Sequence, residues 1–136
     1  MPIKGSCLCG GVGFEMTGAP TRVNHCHCSR CRKARGTAHA TNLLVPLAGI
    51  QFVRGEDLLI SYMPPGAKTF MHVFCRVCGS SMPRLDPNRQ IAIVPIGSFD
   101  DDPGARPDRH IFTDSKAGWE EIVDDLPAFP GAPPSL

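Results

Sequence analysis

No apolar run in this chain approaches the ~18 residues that a membrane-spanning helix needs, and no apolar stretch follows a basic start at the N-terminus. The expectation is a soluble, cytoplasmic chain with no membrane partner. Charge of one sign is lacking too. Fourteen Lys and Arg face thirteen Asp and Glu, and the one basic cluster, Arg30, Arg32, Lys33 and Arg35, is too short for a nucleic-acid footprint. Uninterrupted helical stretches are also missing, because 14 Gly and 14 Pro break nearly every segment long enough to carry a helical stripe. Short strands joined by turns remain.

The 136 residues suit one domain, read as 1–136, with the Pro-, Gly- and Ala-rich segment 129–136 as a loosely held tail. Val12 to Thr17 alternates so that Val12, Phe14 and Met16 share a strand face. His39 to Pro46, Ile50 to Arg54, Leu58 to Met63, Lys68 to Cys75 and Gln90 to Pro95 read as further antiparallel strands between turn signals. Ser29 to Arg35 reads as a helical turn. Asp100, Asp101 and Asp102 read as a solvated acidic turn in preference to a hard-cation site. The only tryptophan, Trp119, reads as an anchor for the C-terminal segment.

Seven cysteines form an odd count in a chain with no export signal, so metal binding or catalysis outranks disulfides. They fall in three clusters: Cys7-Leu8-Cys9, Cys26-His27-Cys28-Ser29-Arg30-Cys31, and Cys75-Arg76-Val77-Cys78-Gly79. A Cys-x-x-Cys-Gly turn places two sulfurs at adjacent corners of a zinc tetrahedron, and a structural zinc takes four ligands, so a distant pair must join Cys75 and Cys78. Cys7 and Cys9 are that pair in the simpler division. It leaves Cys26, Cys28 and Cys31 around a second Zn2+ with an open fourth position, the usual form of a catalytic site. In another division Cys26 and Cys28 go to the Cys75 knuckle. A histidine is the alternative fourth ligand, and His25, His27, His39, His72 and His110 are all chemically able. His25 and His27 would point away from Cys26 and Cys28 on an extended segment. Seven thiolates and two zinc ions turn the formal +1 into −2, a charge unsuited to coating DNA.

These segments resemble the glutathione-dependent formaldehyde-activating enzyme family, also called the centromere protein V type family. The resemblance is carried by Gly5-Ser6-Cys7-Leu8-Cys9-Gly10-Gly11-Val12, by His25 to Lys33, and by Phe74 to Ser80. It continues through Gly97-Ser98-Phe99-Asp100-Asp101, His110-Ile111-Phe112, Trp119 and Asp124-Asp125-Leu126-Pro127. It implies the mainly β, Mss4-like fold, a structural zinc on Cys7, Cys9, Cys75 and Cys78, and a reactive zinc on Cys26, Cys28 and Cys31. It also implies a carbon-sulfur lyase that joins formaldehyde to glutathione. The chain departs from the founding enzyme in its short connections and in having no long helical C-terminal segment.

In the chemistry this suggests, a thiol attacks a small carbonyl carbon, with His27 and His72 as candidate proton donors. Arg30, Arg32 and Lys33 are candidates to hold glutathione carboxylates. A non-enzymatic zinc module that binds a protein is the competing reading, and a three-cysteine cluster argues against it. Methionine sulfoxide reduction requires a free nucleophilic cysteine, which assigning all seven to metal does not leave.

Overall fold

The computed structural model describes residues 1–135, and the fold within them is mainly β with one short helix. The strands are β1 (Ile3–Ser6), β2 (Gly13–Met16), β3 (Arg22–Cys26), β4 (Ala40–Pro46), β5 (Ile50–Arg54), β6 (Leu59–Tyr62), β7 (His72–Cys75), β8 (Arg84–Asp86), β9 (Ile91–Pro95) and β10 (Arg109–Ile111). Helix α1 covers Ser29–Arg35. Strands β1, β2 and β5 form an antiparallel sheet, and β6 pairs with β7 in another. The largest sheet runs β10-β3-β4-β9-β8 and is antiparallel except where β10 adds to β3 in parallel.

The alternation read in Val12, Phe14 and Met16 is realised: all three are at most 1% exposed. They meet Val23, Leu43, Val45 and Val94 from the large sheet in one core. Each such side chain contributes roughly 1.5–3 kcal/mol by leaving water. Four strands had no clear sequence signal. In β1 the only strong apolar residue is Ile3, yet the strand forms because Gly5 lets the chain lie directly on Phe14, where an added Cβ would stand 2.1 Å from the ring. In β3 and β10 the residues are mostly polar, and distant partners satisfy them: Arg109 Nε donates to Asn24 Oδ1 and its terminal nitrogen donates to the Ser135 carbonyl. In β8, Asp86 is held by Arg84 and Arg89.

Two expectations for the C-terminal part need correction. Trp119 anchors nothing, since it is 74% exposed; the buried Ala117 and the Asp124 contact to His110 secure this segment. The beginning of the tail is also tied down. His110 N–H donates to Pro127 O at 2.8 Å, Phe129 N–H to His110 O at 2.9 Å, and Phe112 N–H to Gly131 O at 3.0 Å. These groups pair because β10 is the edge of the large sheet and would otherwise leave them open. The strand expected from Lys68 is shorter, starting at His72, and residues 68–71 instead line a cavity.

Candidate metal centre

The chain brings its seven sulfurs into two groups. Cys7 follows β1, Cys9 lies in the next turn, and Cys75 ends β7 ahead of Cys78. Their four Sγ atoms all lie within 4.8 Å of one another. The turn after Cys75 closes through Gly79, whose φ of +79° suits glycine and whose N–H donates to the Cys75 carbonyl at 2.8 Å. Leu8 N–H donates to Ser80 Oγ at 2.8 Å and links the two turns. Sulfurs about 2.3 Å from a shared zinc would stand about 3.8 Å apart. The separations are 3.5 Å for Cys7–Cys9 and 3.9 Å for Cys9–Cys75, so this set fits a tetrahedral ion. Disulfide sulfurs would be about 2.05 Å apart. The Ser80 hydroxyl pulls the Cys78 thiol down to about 5. Burial opposes ionisation of Cys7, but the Val12 N–H and the Cys9 thiol overcome it and lower that thiol as well.

The second group is Cys26 at the end of β3, Cys28 at the start of α1 and Cys31 within it. Cys28 caps the helix, its Sγ accepting from Cys31 N–H at 3.3 Å. That cap sets the three sulfurs together: Cys31 Sγ lies 3.3 Å from Cys26 Sγ. No histidine joins them as a fourth candidate ligand among the described residues. Hydrogen bonds from the Cys26 and Cys31 thiols draw Cys28 well below the usual thiol range. The same sharing pushes Cys26 up to about 12 and raises Cys31 further.

These sulfurs border a cavity of about 860 Å³. Arg30, Arg35, Lys68, Arg84 and Arg89 line it, and no Asp or Glu does so among the described residues. Arg84 and Arg89 share the single carboxylate of Asp86, at 3.2 and 2.7 Å, whereas Arg35 has only the Asn42 side-chain carbonyl, at 3.0 Å. Phe70, Ile111 and Phe112 give the cavity an apolar wall, and Ala132, Pro133 and Ser135 bring the C-terminal segment to its edge.

Of the sequence candidates, Arg30 and His72 line this cavity; Arg32, Lys33 and His27 do not. Burial, and then the nearby Arg35 charge, lowers the His72 pKa. His27, just after β3, is fully buried away from the cavity, with Nε2 2.8 Å from His110 Nδ1. Burial first, then neighbouring imidazoles, pushes His25 and His27 down to about 4. Arg35 was visible in the basic cluster, but nothing in the sequence separated it from Arg32 and Lys33. A helix turns about 100° per residue, and that rotation decides which of them meets the cavity. The acidic turn binds within the chain: Asp100 accepts from Ser6 Oγ, Asp101 from Lys4 N–H and Asp102 from Arg106.

No curated protein matches the chain significantly. A Rhodobacter sphaeroides protein of known crystal structure is similar to it, with 28% identity and a TM-score of 0.61, over 77% of this chain and 92% of that one. The family model for the glutathione-dependent formaldehyde-activating enzyme matches residues 2–115 and spans both cysteine groups through Cys78. The chain belongs to the glutathione-dependent formaldehyde-activating enzyme family.

Proposed function

We propose that this protein is a zinc-dependent carbon-sulfur lyase of the glutathione-dependent formaldehyde-activating type. It adds a small thiol, glutathione or a similar compound, to a small aldehyde. The observation that supports this reading is the three-sulfur group on a cavity bordered by basic side chains and, among the described residues, by no Asp or Glu. Cys26, Cys28 and Cys31 would hold the reactive zinc; Cys7, Cys9, Cys75 and Cys78 would hold a structural one. A zinc ion bound by three cysteines lowers the pKa of a thiol that reaches it and polarises a nearby carbonyl.

The chain's own side chains account for the remaining chemistry. Arg35, Arg30 and Lys68 attract an anionic thiol, and Arg35 offers a planar guanidinium for its carboxylate. In the reaction the thiol loses its proton, a carbon-sulfur bond forms as the carbonyl π bond opens, and the carbonyl oxygen takes up a proton. His72 is the candidate carrier. With its pKa lowered it is neutral at pH 7, so it accepts the thiol proton before returning it to oxygen. Phe70 and Phe112 limit water on the apolar side. We read residues 1–136 as one domain and the compartment as cytoplasmic, where cellular reductants keep such thiols free.

The test replaces zinc with cobalt and adds glutathione. Sulfur-to-cobalt charge transfer is expected to grow as the thiol binds, and that growth is expected to be lost in the Cys28→Ala protein. Exchange between formaldehyde and its glutathione adduct, followed by NMR, is expected to exceed buffer only for the wild type. Spectra that ignore every thiol, with exchange no faster than buffer, would leave the zinc-stabilised binding module as the better reading.

A further inference from the structure

Four of the five histidines gather on the side of β3 away from the cavity. The His25 ring centroid lies 4.2 Å from His39 and 4.8 Å from His110; that of His27 lies 5.0 Å from His39 and 5.1 Å from His110. The parallel pairing of β10 with β3 puts His110 directly beside His25. The C-terminal segment then brings the carboxylate of Asp124 to the same place.

From this arrangement we propose that His25, His110 and Asp124 form a third metal site, for a divalent first-row transition ion held by nitrogen and oxygen. One ligand atom from each residue lies within 4.8 Å of the other two. Neighbouring ligands at about 2.0–2.2 Å from an ion stand roughly 2.9–3.5 Å apart. His110 Nε2 already lies 2.9 and 3.0 Å from the two Asp124 oxygens, so this pair has the spacing of adjacent ligands. His25 brings a ring nitrogen within 4.8 Å of both.

The remaining nitrogens have the contacts that metal-binding imidazoles need. His110 Nδ1 is held by His27 Nε2 at 2.8 Å, and His25 Nδ1 by Thr41 Oγ1 at 2.9 Å. Each fixes a ring through Nδ1 and presents Nε2 for coordination. Thr41 is steadied in turn by His39 Nδ1 at 3.2 Å. An independent observation is the buried His27 Nδ1, which has no hydrogen-bond partner. The His27 tautomer is therefore set by His110 alone. When an ion takes the lone pair of His110 Nε2, the His110 proton sits on Nδ1 and donates to His27 Nε2; the His27 proton then sits on its own Nδ1.

The donor set is harder than the two thiolate groups, and two histidines with one carboxylate leave coordination positions open. Asp124, 42% exposed at its side chain, gives an ion a path from solvent. Occupancy would also clip the segment around Asp124 to β3 and β10 and so secure the chain that edges the cavity.

The test uses full-length protein with both cysteine groups filled by zinc, titrated with cobalt. One further equivalent is expected to bind, giving ligand-field bands without sulfur-to-cobalt charge transfer. In parallel, nitrogen NMR with zinc as the probe is expected to report the His110 and His27 tautomer exchange. Asp124→Asn keeps a hydrogen-bonding group beside His110 but removes the charge, and His25→Ala removes one nitrogen. Each is expected to weaken the extra site at least about 100-fold while the two zinc ions stay bound. The proposal is overturned if wild type takes up no further equivalent, if the new bands carry sulfur charge transfer, or if both variants bind cobalt as tightly as wild type.

Discussion

The two cysteine groups use the same ligand atom for opposite structural ends. In the four-cysteine group, Cys9 and Cys75 stand 66 positions apart, and Cys7 and Cys75 are 5% and 0% exposed within the main core. An ion there would tie β1 to β7. The three-cysteine group spans five positions, from Cys26 to Cys31, and packs in a small separate cluster with Ala40 and Ile111. An ion there would close only a short loop and would face a cavity. Long-range closure restricts the unfolded chain strongly, whereas local closure restricts it little, so on the proposed reading the same chemistry would serve stability in one place and reactivity in the other.

The largest expected effect comes from breaking the long-range group. Apparent zinc-binding energies in small zinc domains are on the order of 10 kcal/mol, comparable to the whole stability of a domain. Cys78→Ala is expected to lose its cooperative melting transition and most of its solubility, as read by circular dichroism. An unchanged melting temperature would erase the distinction between the groups. Cys28→Ala is expected to lose one zinc by metal analysis, keep a cooperative transition within a few degrees of wild type, and lose all exchange above buffer. Unfolding as severe as in Cys78→Ala would make the middle group structural.

Smaller effects sharpen the reactive side. Arg35→Ala is expected to raise KM for an anionic thiol about 10-fold, the scale of one charge-assisted hydrogen bond, with Arg35→Lys between the two. Lys33→Ala, outside the cavity, is expected to leave KM within about twofold. Equal effects at both positions would mean that the field of the helix, not a contact at Arg35, attracts the thiol.

The smallest effect concerns pH. In the proposed reaction His72 would act in its neutral form, and its pKa is lowered by burial and by Arg35, so the neutral base persists below the ordinary histidine value of 6.5. The acid limb of kcat/KM is expected below pH 6.5. In Arg35→Ala that limb is expected to move upward toward 6.5, because one cause of the lowering is gone. A limb unmoved by Arg35→Ala and retained in His72→Gln would remove His72 from the proton path.

Much of this was legible before the fold. Cysteine spacing alone divides seven ligands into four and three, because a Cys-x-x-Cys-Gly turn supplies two corners of a tetrahedron and needs two more. Alternation picked out Val12, Phe14 and Met16 as one buried face, and the even spacing on an extended segment turned His25 and His27 away from Cys26 and Cys28. These readings succeed because they depend on covalent geometry and local periodicity. Trp119 failed for the opposite reason: a large apolar side chain predicts burial only on average, and whether a surface is near enough to cover it is a matter of long-range packing.

What only the tertiary structure decided is which distant groups share a place. The sequence determined the sulfur donors, the mainly β class and the pair of cysteine groups, since each rests on residue chemistry at short spacing. It did not determine that Arg35, rather than Lys33, meets the cavity, or that residues 127–131 bond along β10. Nor did it reveal that His110 and Asp124 come to His25. The last two outcomes depend on the parallel pairing of β10 with β3, a contact between residues some 85 positions apart. No local pattern encodes such a pairing, because its free energy arises only when both strands are in place.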